Sequence, residues 1–148
     1  MLFEEYFEKI LKLKKTKKEI NKLDNKKIDL MRLVDIQAIQ PKDNLGGTNS
    51  KEDKMLLYTA ELEIVEKKLA KEKRILKELK KQIKEKEEDL RESSEILDKV
   101  YLYKYIDNLK YYQIGIKIGY EKTKTYNLIN RVDEILEKIR STEKNGKI

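Results

Sequence analysis

Seven apolar residues stand at strict seven-residue intervals through the middle of the chain: Met55, Leu62, Leu69, Leu76, Ile83, Leu90 and Leu97. A companion set three residues further on, Tyr58, Val65, Glu72, Leu79, Lys86, Ser93 and Val100, is apolar at four of its seven positions. A helix puts positions i, i+3 and i+7 on one face. A heptad kept this long stays on one seam only if the helix supercoils left-handed against a partner. The pattern predicts a helix from about residue 52 to residue 107, on the order of 80 Å long at 1.5 Å per residue. Alone, that helix would hold its apolar seam in water, so the heptad predicts a partner helix as well.

Two partners fit. Upstream, Phe3, Tyr6, Ile10, Leu13, Ile20, Leu23, Leu30 and Val34 recur mostly at three- and four-residue steps, which predicts an amphipathic helix over about 2–39. Its stripe turns polar at Thr16–Lys18 and again at Asp24–Lys27. Between the helices, residues 40–51 hold Pro41, the Gly46-Gly47 pair and a cluster of Asn and Ser without periodicity, which is a loop signal. The first helix can fold back across this loop as an antiparallel hairpin, or a second copy of the chain can cover the seam. Glu72, Lys86 and Ser93 would weaken a tight symmetric seam, which favours the hairpin and leaves a homodimer to other surfaces.

Composition narrows the chemistry. The chain has 148 residues, 43% of them charged, with no Cys, no His and no Trp. Disulfides, zinc fingers, Cys or His nucleophiles and imidazole bases are therefore excluded. No Asp/Glu cluster has the spacing of a calcium loop, and no apolar run approaches the ~18 residues of a membrane span. The acidic start, Met1-Leu2-Phe3-Glu4-Glu5, is unlike a signal peptide. A cytoplasmic protein is expected, with no membrane partner, no cofactor, no metal and no catalytic residues, and so not an enzyme. The Lys14–Lys18 run reads as a solvated helix face, with phosphate contact as its alternative.

Charge is unevenly placed. Residues 1–40 hold ten Lys/Arg against seven Asp/Glu, residues 52–98 twelve against fourteen, and residues 99–148 eleven against six. The basic excess lies at the C-terminal end, the electrostatic footprint of a nucleic-acid module. Seven of the nine tyrosines also fall between positions 101 and 126, as core and rim of a small module or as stacking surfaces for bases.

Within that stretch, Tyr111–Ile118 reads as a two-turn helix, Gly119-Tyr120-Glu121 as a break, and Lys122 to about Arg140 as a last helix. This is the spacing of a helix-turn-helix. Two helices crossing closely need a small residue at the contact, Gly115, and a turn residue tolerant of positive φ, Gly119. Ile114, Ile118, Tyr120 and Leu128 would fill the angle between them. Leu128, Val132, Ile135 or Leu136, and Ile139 would form the inward stripe of the last helix. Its outer face would present Lys122, Thr123, Tyr126, Asn127 and Asn130 to DNA, with Lys124 and Arg131 at the flanks. The expected fold is all-α, with a long helical hairpin over 1–98, a helix-turn-helix over 99–140, and a disordered tail over 141–148.

The run from Tyr105 to Tyr120, Tyr-Ile-Asp-Asn-Leu-Lys-Tyr-Tyr-Gln-Ile-Gly-Ile-Lys-Ile-Gly-Tyr, resembles the fourth region of bacterial sigma factors. It is more closely similar to small phage transcriptional regulators of the ArpU/RinA type, which also set a long helical portion ahead of the motif. Residue-level resemblance covers about the last 40 residues. The chain departs from the pattern at Glu121, where the family has the better N-cap Ser, and at Thr125, where it has Val or Ile in the inter-helix core. Glu121 suits the helix dipole but would repel an approaching phosphate. Gly115 replaces Ala, at a propensity cost of about 1 kcal/mol.

The resemblance implies a phage or prophage transcription regulator acting on double-stranded DNA in the bacterial host. Its last helix would lie in the major groove and its helical arm would contact RNA polymerase or a second copy. A small terminase-like packaging subunit and a purely structural coiled-coil protein are the competing readings.

Overall fold

The two helices that the heptad requires both come from this chain. The computed structural model describes residues 1–39 and 51–145. They form α1 (Leu2–Ile39), α2 (Lys51–Glu92), α3 (Ile96–Tyr101) running into a π-helical turn (Leu102–Ile106), α4 (Tyr111–Ile118) and α5 (Lys122–Lys144). The described residues are all-helical, and none of their helices is long and apolar enough to cross a membrane. The loop expected over 40–51 lies outside the described residues except for Lys51, which opens α2.

Two compact units divide the chain, Lys14–Glu78 and Met1–Leu13 with Leu79–Ile148. In the first, Ile20, Leu23 and Leu30 of α1 share a core with Val65 and Leu69 of α2, flanked by the half-buried Tyr58, Leu62 and Leu76. The polar stretches of α1 do not interrupt it. Thr16 is buried, and the half-buried Lys27 Nζ lies 3.9 Å from Glu66 Oε1.

The second unit packs Phe3, Tyr6, Phe7 and Leu11 of α1 against Leu90, Leu97, Val100, Ile114, Val132 and Leu136. Phe7 and Leu11 carry the apolar face where the three- and four-residue steps pointed to Ile10 and Leu13, which are half-buried. Pairing here is antiparallel: Lys86 Nζ donates to Glu5 Oε2 at 2.5 Å and Lys9 Nζ to Gln82 Oε1 at 2.8 Å. The bond from Lys86 holds the Glu5 carboxyl below its ordinary pKa. Lys86, a polar misfit in the heptad, thus finds its partner within the chain.

The helix expected to run unbroken to residue 107 ends instead at Glu92. Ser93 Oγ accepts the Glu95 N–H at 3.2 Å and donates to Asp98 Oδ2 at 2.8 Å. The fully buried Asp98 accepts the Phe3 N–H on Oδ1 at 3.0 Å. First-turn amides of a helix lack intrahelical acceptors. The Asp98 carboxylate therefore caps α1 from another element and sits at the positive end of its dipole. Leu97 and Val100 stay in the core on the far side of the break, so the heptad register passes over it unaltered.

Side chains from residues 3–11 and 129–139 share one core. The tail expected from residue 141 is helical through Lys144, and residues 146–148 lie outside the described residues.

Candidate nucleic-acid interface

Local hydrogen bonding sets α4 and α5. The π turn closes with Asp107 N–H on Leu102 O at 2.9 Å and Leu109 N–H on Tyr103 O at 2.8 Å. Asn108 takes a left-handed φ of 54°, which Asn tolerates better than most residues after a helix end. Gln113 Oε1 accepts the Lys110 N–H at 2.9 Å and starts α4.

Gly119 ends α4 at φ 75°, and Gly115 O accepts the N–H groups of Gly119 and Tyr120 at 2.9 and 3.1 Å. Glu121 then caps α5 with extended backbone but no side-chain bond. At the crossing, a Cβ on Gly115 would stand 3.0 Å from Thr125 Oγ1 and 3.1 Å from Tyr120 O. The Thr125 hydroxyl donates to Glu121 O at 2.9 Å, which satisfies it within a fully buried contact.

The residues read as DNA-facing, Lys122, Thr123, Lys124, Tyr126, Asn127, Asn130 and Arg131, are all exposed on α5. Those read as internal divide. Ile114 and Gly115 are buried, Ile118 and Leu128 are half-buried, and Gly119 forms the exposed turn. Tyr120 does not fill the inter-helix angle: it is 43% exposed, with Lys124 Nζ 5.7 Å from its ring centre. The inward stripe of α5 runs through Thr125, Ile129, Val132, Leu136 and Ile139. Its first members are Thr125 and Ile129 rather than Leu128. The alternating four- and three-residue step through these positions was present in the sequence but began on a polar residue.

Acidic charge on this face is sparse. Between Asp107 and Asp133, Glu121 stands alone against Lys110, Lys117, Lys122, Lys124 and Arg131. Asp133 itself is engaged. Lys104 Nζ donates to its Oδ1 at 3.0 Å and Oδ2 at 2.7 Å, and the Tyr105 hydroxyl donates to Oδ1. Burial opposes the Lys104 charge, but the bonds to Asp133 and Tyr105 outweigh it and hold its pKa above the ordinary value. Burial, then the bond to Asp133, pushes the Tyr105 phenol up as well.

The tyrosines differ in exposure. Tyr101 is buried, stacked on Phe3 at 5.5 Å and edge-on to Tyr6 at 5.8 Å between ring centres. Tyr111, Tyr112, Tyr120 and Tyr126 are exposed around α4 and the start of α5. Tyr111 stacks on Tyr126 at 4.7 Å, and Lys122 Nζ stands 5.8 Å from the Tyr111 ring. Beside them Ile116 is 78% exposed. Sequence spacing singled out neither Tyr111, Tyr112 nor Ile116. The signal was there for Tyr112 and Ile116, which lie on the side of α4 away from Ile114 and Gly115, whereas Tyr111 stands one turn before those two on their own side.

By fold, then, this is an all-helical protein whose paired long helices are followed by a tight helix-turn-helix unit. Comparison of the chain with protein-family models, with curated proteins and with solved structures finds no match.

Proposed function

We propose that this chain is a sequence-specific DNA-binding transcription regulator of phage or prophage type, working in the cytoplasm of a bacterial host. The observation that carries this reading is the outer face of α5. Lys122, Thr123, Asn127, Asn130 and Arg131 are exposed there behind a tight turn, and no acid lies between Glu121 and Asp133. An N-terminal half of this kind suits entry into the major groove, with the amides of Asn127 and Asn130 on adenine edges and the cations on phosphates. The Lys14–Glu78 unit supports a role as an arm for RNA polymerase or a second copy, since Ile28, Met31, Leu57 and Ile64 are exposed on it.

The test is affinity for duplexes from the source genome and for scrambled duplexes at two salt concentrations. Asn127→Ala or Asn130→Ala should cost about 1–3 kcal/mol on the cognate duplex and leave the scrambled one unchanged. Lys122→Ala or Arg131→Ala should weaken both alike and lower the salt slope by about one charge. Absence of duplex binding at low salt would sink the reading.

A further inference from the structure

A concavity of about 470 Å³ opens on the outer side of the helix-turn-helix, lined by Tyr111, Tyr112, Ile116, Tyr120, Lys122 and Thr125. Its wall is largely aromatic and aliphatic, yet it is solvent-exposed: Tyr112 is 51% and Ile116 78% accessible. An apolar patch of this kind in water marks a contact surface. Its rim is cationic, with Lys122 Nζ 5.8 Å from the Tyr111 ring and Lys124 Nζ 5.7 Å from the Tyr120 ring. Glu121 is the only acid within the surrounding segment from Asn108 to Val132.

An occupant must therefore combine flat apolar faces with closely spaced negative charge. Unpaired nucleobases on a phosphate backbone have both, and aromatic platforms bordered by lysines are how proteins hold them. Paired bases in a duplex do not offer their faces. We propose that this concavity binds single-stranded DNA, with Tyr112 and Tyr120 stacking on unpaired bases and Lys122 and Lys124 taking the flanking phosphates. The Ile116 wall favours deoxyribose and the thymine methyl over a ribose, whose 2′-hydroxyl would lose hydration against it. This site goes beyond the duplex reading and does not require it.

Fluorescence anisotropy with the full chain tests the proposal, using labelled oligothymidylate of about a dozen nucleotides, within the usual site size. An abasic oligomer of equal length, an oligouridylate and a blunt duplex serve as the other probes. Oligothymidylate should bind at least about 25-fold more tightly than the abasic oligomer, since two stacked bases each supply a factor of about 5 to 150. Tyr112→Ala and Tyr120→Ala should each remove a factor in that range for oligothymidylate and none for the abasic oligomer. Tyr112→Phe should retain the wild-type affinity. Lys122→Ala should weaken both strands alike.

The rings and Ile116 are exposed, so an unchanged helical circular dichroism spectrum is expected for each variant. Ile116→Ser provides a second probe of the same wall, with a smaller loss expected. Equal binding of abasic and thymidylate strands, full affinity in both Tyr→Ala variants, or tighter binding of the uridylate strand would overturn the proposal. Duplex binding unaffected by Tyr112→Ala, together with no preference for oligothymidylate, would uphold the duplex reading while overturning this one.

Discussion

Gly115 and Gly119 stand four residues apart and are needed for different reasons. At Gly119 a Cβ would meet nothing within 4 Å, but φ is 75°. Gly119→Val should therefore cost about 1–3 kcal/mol through backbone strain alone, seen as a lower melting temperature, whereas Gly119→Asn should cost less. At Gly115 the backbone is ordinary helix and the space is missing. Gly115→Ala gains up to about 1 kcal/mol of helix propensity and loses about 1–3 kcal/mol by crowding Thr125 and the Tyr120 carbonyl. The expected net is destabilising, and a higher melting temperature would show that the crossing opens freely.

Tyr101 belongs to the same scale. Burial first, then the neighbouring phenols of Tyr6 and Tyr105, push its pKa well above the ordinary phenol range. A raised folded pKa favours the neutral form in the fold. Its stabilisation is full below about pH 10, the unfolded value, and is lost as pH rises beyond it. Urea denaturation across the alkaline range should show that decline, and Tyr101→Phe should make it shallower.

At the scale of elements, the end of α2 and the start of α1 depend on one carboxylate. Asp98→Ala would leave the Phe3 amide buried and unpaired and strip Ser93 of its acceptor, at a cost of about 1–3 kcal/mol. Ser93→Ala should cost less, about 0.5–1.5 kcal/mol. Because both residues serve one network, the double variant should lose less than the two single losses combined. Strict additivity in thermal denaturation would separate the helix break from the α1 cap.

At the scale of the molecule, the helix-turn-helix shares its core with the start of α1. Phe3, Tyr6, Phe7 and Leu11 are all buried in the core that also holds Ile114, Val132 and Leu136. Each such side chain contributes about 1.5–3 kcal/mol by burial, and four of them together rival the 5–15 kcal/mol by which a domain is typically stable. A fragment of residues 94–148, or a chain lacking residues 1–11, should lose its cooperative thermal transition. A cooperative melt in the 94–148 fragment would show that α1 is dispensable to it.

What the chain determined locally was legible before any fold was known. The heptad from Met55 to Leu97, the apolar steps of α1 and the glycine turn at 119 are read within a few residues, because helix faces and left-handed turns are properties of neighbouring positions. The polar residues along α5 were legible for the same reason, as side chains that stay in water. The inward choice of Ile129 over Leu128 was not, since it depends on how closely α4 approaches at Gly115. Nor was the break after Glu92, hidden under an unbroken heptad. It is held by a carboxylate whose amide partner lies 95 residues away in sequence. Periodicity records which face of a helix is apolar. Only tertiary packing decides where a helix must stop so that its buried donors are satisfied.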